Sequence, residues 1–171
     1  MSYYNNSRGL RIDGTNFEYI AEGAYGAVFR DSKAERIWKV YFSNRNCESL
    51  CRTVFQSELQ AYAICYGSQM LRDLVPGGYA RRKPPKIIDR AGIDVTCEFF
   101  PCLAFQAEFI NGNFLKIRDL PQHLSEEASR ITKLFTENCV HGVDDISVTI
   151  SVQDRILKVI DFSKTKIDPS W

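Results

Sequence analysis

The chain has 171 residues, 44% of them hydrophobic and 25% charged, with a formal net charge of +1; this is the profile of a globular protein of one domain or two small lobes. A balance so close to neutral excludes a general electrostatic hold on nucleic acid or on an anionic membrane. The sequence shows no membrane-length apolar run of ~18 residues and no secretory signal at its start, so a cytoplasmic protein is expected.

Six cysteines, Cys47, Cys51, Cys65, Cys97, Cys102 and Cys139, form no Cys-x-x-Cys pair, and only His123 and His141 could complete a zinc set. They are expected as reduced thiols, most of them packed as small hydrophobes.

In chain order, residues 1–15 read as a flexible, polar start. Strands are expected over Phe17–Ala21 and Ala27–Arg30, on either side of the loop Glu22-Gly23-Ala24-Tyr25-Gly26. Glycine lets backbone fold closely over a ligand such as a polyphosphate, and equally well serves an ordinary hairpin. Asp31-Ser32-Lys33 is a turn, and Arg36–Phe42 is a third strand with Lys39 inside it. A lysine there is suited to phosphate and costly to bury unpaired.

Residues 46–67 have helical periodicity, with Leu50, Cys51, Val54, Phe55, Leu59, Ala61, Tyr62 and Cys65 in one arc. Glu58 falls inside that arc. It either reaches water from the helix edge or forms an ion pair with Lys39. A Gly- and Pro-bearing loop follows at 76–85, its Arg81-Arg82-Lys83 cluster read as a solvated loop, then a short strand at Lys86–Asp89 and a buried strand at Cys102–Ile110. Residues 16–110 are thus expected to form a five-stranded antiparallel sheet with one helix.

Beyond Asn111 a helix is expected from Ser125, as N-cap, to about Asn138, its Glu126 and Glu127 complementing the helix dipole. Val140–Asp145 leads to an apolar-polar stretch ending at Val152, a turn at Gln153-Asp154 and the strand Arg155–Ile160. Asp161 follows at once, well placed to hold a divalent metal against phosphates.

Taken in this order, these motifs resemble the protein-kinase superfamily. Ala21–Val28 is similar to its glycine-rich loop, with alanine at the first glycine, so Gly23, Ala24, Tyr25, Gly26 and Val28 are implied to cover ATP. Lys39 matches the phosphate-holding lysine and Glu58 its acidic partner. Gln106–Gly112 resembles the hinge, which implies adenine contacts from the backbone of Glu108 and Ile110, with Ala107 as a small gatekeeper. Asp161-Phe162-Ser163 resembles the metal-binding Asp-Phe-Gly. The catalytic loop departs from the pattern: Asp144 falls at the base position, Asp145 is its rival, and Thr149 stands where asparagine would hold a second Mg²⁺.

The resemblance implies an α+β, two-lobed protein-kinase-like fold. A flexible stretch at 1–15 would precede an N-lobe over 16–110 and a strongly reduced helical C-lobe over 111–171. The chain ends ten residues after Asp161, leaving no peptide platform, an outline similar to minimal kinases that some bacteria inject as effectors. The activity implied is ATP- and Mg²⁺-dependent transfer to a serine or threonine of a protein, possible targets including a host protein in the host cytosol. The alternative is a pseudokinase serving as a nucleotide-binding or protein-interaction module. A small-molecule kinase is a third reading, and it normally needs a larger helical lobe. Oligomeric state is left open.

Overall fold

The computed structural model describes residues 8–31, 33–151, 153 and 155–167. The expected frayed residues 1–7, Ser32 and Asp154 of the two expected turns, Val152 and the segment 168–171 lie outside the described residues. The protein is α+β. Its strands are β1 (Arg11–Ile12), β2 (Phe17–Glu22), β3 (Gly26–Asp31), β4 (Arg36–Phe42), β5 (Ala80–Arg81), β6 (Ile87–Ile88), β7 (Phe99–Glu108), β8 (Leu115–Lys116), β9 (Val140–His141), β10 (Ser147–Ile150), β11 (Ile156–Ile160) and β12 (Lys166–Ile167). The helices are α1 (Glu48–Gly67) and α2 (Ser125–Glu137). Among the described residues, no helix is long and apolar enough to cross a membrane.

The chain divides into two compact units. One comprises the residues up to Thr53 together with Gly77–Phe109; the other comprises Val54–Pro76 together with the chain from Ile110 onward. A single boundary at residue 110, as expected from the sequence, is therefore too simple. Most of α1 and the segment after it group with the later residues.

The first unit is a curled antiparallel sheet of seven strands, in the order β5-β7-β4-β3-β2-β1-β6. The five expected strands are all in it. The two additions are β1 and β5, each only two residues long. β1 lies in the stretch expected to be flexible, yet Leu10 and Ile12 are buried in the same core as Phe17, Phe29, Val40 and Phe42. Their spacing of two, around exposed Arg11, is a strand signal too short to read alone. β5 ends at Arg81 on the sheet edge, where Pro84 and Pro85 allow no further ladder. Basic residues on an edge strand discourage pairing with another chain.

In the second unit, β11-β10-β8 form a three-stranded sheet and β12-β9 a pair. Phe162, fully buried, sits edge-on to Tyr62 of α1 at 5.0 Å and packs on Phe135 of α2 at 5.6 Å. Truncating a buried phenylalanine of this kind costs about 3–5 kcal/mol. α2 starts differently from expectation. Leu124 is its N-cap residue, and Ser125 is already helical because the chain enters through a 3₁₀ turn at Gln122–Leu124. Glu127 does more than complement the helix dipole. It pairs with Arg130 and accepts the backbone N–H of Ile156, tying α2 to β11. All six cysteines are free; Cys51 and Cys65 are buried, while Cys47 and Cys97 are exposed, so fewer are packed than expected.

Gly26 is required by close approach. A Cβ there would stand 2.2 Å from the Val40 carbonyl oxygen, whereas one at Gly23 would meet nothing within 4 Å. Gly26→Ala is therefore expected to destabilise by about 1–3 kcal/mol and Gly23→Ala by under about 0.5 kcal/mol in urea titrations; equal losses would contradict the packing argument. The Arg130 guanidinium, with the Ile156 N–H and Arg155, holds the Glu127 carboxyl down at about 2 from its ordinary 4.5. Because the folded value is depressed, the stability it contributes is complete above pH ~4.5 and is lost as pH falls towards 2. Denaturation midpoints of Glu127→Gln are expected to show a shallower acid slope than wild type in that window.

Candidate functional site

In the first unit, the glycine loop joins β2 to β3. The Gly23 N–H donates to the Gly26 carbonyl at 2.9 Å, the Phe42 N–H to the Tyr25 carbonyl at 2.9 Å, and the Asn46 amide to the Ala24 carbonyl at 2.8 Å. The tip is thus fixed from two sides. Lys39 lies on β4 opposite Val28 on one neighbour and Phe105 on the other. Alternation along β4 puts Val40 and Phe42 in the sheet core and sends Lys39 with Tyr41 to the other face. Its ammonium stands 5.4 Å from the Tyr41 ring centroid. At the end of β7, the Glu108 N–H donates to the Gly77 carbonyl and the Gly77 N–H donates to the Glu108 carboxylate, both at 2.8 Å. The Glu108 N–H, one of the two expected adenine contacts, is thus taken by the Gly77 carbonyl. Ala107 is buried.

In the second unit, Asp161 follows β11 directly and has φ of 69°. This left-handed conformation is uncommon for a residue with a side chain, and such positions concentrate at functional sites. Both carboxylate oxygens are engaged. Ser163 Oγ donates to Oδ1 at 2.8 Å, and Lys116 Nζ donates to Oδ2 at 2.6 Å. The same ammonium donates to the Asp145 carbonyl at 2.6 Å and stands 3.8 Å from its carboxylate. Asp145 is buried. Lys164 Nζ is 3.0 Å from its Oδ2, and Arg118 Nη1 is 2.7 Å from Oδ1 but out of line for a hydrogen bond.

Asp145 and Asp161 are thus brought together through Lys116. Asp144 is not part of this cluster: it is exposed and lines a groove of about 480 Å³ with Arg118, Ser129, Thr132 and Lys133. Thr149 is buried on β10 opposite Lys158. In that ladder Ser147, not Thr149, faces Ile160 and hence leads to Asp161; Thr149 is two rungs further off. Glu58 is 1% exposed, so the reading in which it reaches water fails. Lys39 and Glu58 belong to different units, as do Glu108 and Ile110.

Three cations were missed from the sequence: Lys116, Arg118 and Lys164. The only trace of the first two is the alternation Lys116-Ile117-Arg118 around buried Ile117, which puts both charges on one side. A hard divalent cation that keeps water and phosphate ligands needs one or two carboxylates, and here Asp161 is the carboxylate that could serve, with Lys116 on its Oδ2. Among the described residues, no group of three or more His, Cys, Asp or Glu is placed to hold a metal. No family model matches the chain, and no curated protein matches it in sequence.

Asp145→Asn removes one charge from three cations and is expected to cost about 1–2 kcal/mol in urea denaturation, since Arg118 and Lys164 are largely solvated. Asp144→Asn, at an exposed position, is expected to stay within about 0.5 kcal/mol of wild type. The reverse ranking would contradict the arrangement.

Proposed function

We propose that the protein is an ATP-dependent phosphotransferase of minimal-kinase type, with a two-lobed kinase-like fold and a reduced second lobe, acting on a serine or threonine of a protein. The observation that carries this reading is Asp161. It stands at a strand end in a left-handed conformation, with both carboxylate oxygens held and a shared lysine linking it to buried Asp145. Ordinary core packing has no use for such an acid.

The roles follow from chemistry. The loop at Gly23–Gly26 covers the phosphates, and Lys39 supplies a point charge to them. Asp161 takes Mg²⁺, which when bound neutralises phosphate charge. The acceptor hydroxyl belongs to the Asp144-Asp145 pair, and Asp145 is favoured because it shares Lys116 with Asp161. Rate enhancement then comes from positioning and charge stabilisation rather than covalent chemistry.

One observation favours the alternative, a module that binds nucleotide without transfer. The Asp145 carboxylate is already engaged by Lys164 and Arg118, which occupy the oxygens an acceptor hydroxyl would need. Incubation with γ-labelled ATP, Mg²⁺, generic protein substrates and host-cell lysate separates the two. Transfer that falls by about a hundredfold or more in both Lys39→Ala and Asp161→Ala is the expected result. Nucleotide binding without transfer would establish the module instead, and absence of binding would leave a protein-interaction module alone.

A further inference from the structure

Lys116 has no part in the motifs that suggested a kinase, yet it is the group on which the acidic cluster converges. Its backbone is clamped twice: β8 pairs Lys116 with Ser147, and the next residue, Ile117, donates its N–H to the Ile146 carbonyl at 3.0 Å. The side chain is directed by two short hydrogen bonds, to the Asp145 carbonyl and to Asp161 Oδ2, both at 2.6 Å. The Asp145 carboxylate also has Lys164 at 3.0 Å and Arg118 at 2.7 Å. Asp161 has the neutral Ser163 hydroxyl on Oδ1 and the Lys116 ammonium on Oδ2.

We propose that Lys116 and a divalent cation compete for Asp161 Oδ2, so that Lys116 sets the metal affinity of the site. This rests on the phosphotransferase reading and names a residue that regulates its metal step. Two cations on one carboxylate oxygen repel each other, and the half-buried pair is screened less than it would be in bulk water. A divalent cation drawn to Asp161 must displace the ammonium from Oδ2. The Asp145 carbonyl would keep hold of Lys116 as it yields, leaving the N–H freed from Oδ2 available to a phosphate oxygen. A lysine ammonium has three rotatable donors and can make this exchange without breaking its second anchor. Lys116 is therefore a positioning residue rather than a metal ligand.

The test is Mn²⁺ binding to the full chain without nucleotide, followed by electron paramagnetic resonance of free Mn²⁺. Lys116→Met and Lys116→Gln remove the charge, Lys116→Arg keeps it, and thermal melts check that each variant is folded. The glutamine variant keeps a donor for the Asp145 carbonyl and serves if the methionine variant does not fold. The neutral variants are expected to bind Mn²⁺ on the order of tenfold more tightly than wild type, with Lys116→Arg close to wild type. The gain is expected to vanish when Asp161→Asn is added. Unchanged or weaker binding in the neutral variants, with binding still lost in Asp161→Asn, overturns the role of Lys116 and leaves the metal at Asp161. A gain that survives Asp161→Asn overturns this proposal and the assignment of metal to Asp161 together.

Discussion

The carboxylate of Asp161 is held from both sides, by Ser163 at one oxygen and Lys116 at the other, and the arrangement of the second unit follows from that hold. A left-handed aspartate costs roughly 1–2 kcal/mol relative to an ordinary backbone. The next residue, Phe162, offsets this by burying its whole ring between Tyr62 and Phe135. The chain thus turns sharply at the end of β11, the carboxylate facing Lys116 and the ring entering the core. Lys116 is in turn fixed by the β8–β10 ladder, so strand register decides where the charge stands.

Charge is concentrated where packing is dense. Asp145, Glu58 and Thr149 are among the few buried polar residues. A buried acid without compensation is strongly disfavoured, and at Asp145 the compensation is visible in three cations. Such a cluster contributes little net stability compared with an apolar core. The first unit has the opposite character. There a close-packed apolar core, Phe29 and Val40 at its centre, fixes a glycine hairpin whose tip is held by backbone hydrogen bonds and the Asn46 amide.

The sequence carried the long elements clearly. Strands β2, β3, β4 and β7 and both helices have enough residues to display a period, and the misplaced acid at position 58 was visible on the helical wheel before its burial was known. The two-residue strands β1 and β5 were not legible, because two residues hold no period and their pairing depends on distant partners. The acid cluster was half legible. Asp161 was marked by its place after an apolar strand, but Lys116 lies 45 residues from it in sequence and 29 from Asp145. Nothing local in Leu115-Lys116 indicates which carboxylate the lysine will meet. A count from Asp161 puts Asp144 at the base position with Asp145 as its rival, and in the 3₁₀ turn at Val143–Asp145 that one residue separates an exposed side chain from a buried one.

The central claim is that Asp161 serves a metal–nucleotide complex. Calorimetric titration of ATP into the wild-type protein and Asp161→Asn, each with Mg²⁺ and again with EDTA, tests it most directly. The account predicts that Mg²⁺ strengthens binding in the wild type and that this gain is lost in Asp161→Asn. ATP affinity independent of Mg²⁺, or a Mg²⁺ effect that persists in Asp161→Asn, would contradict it.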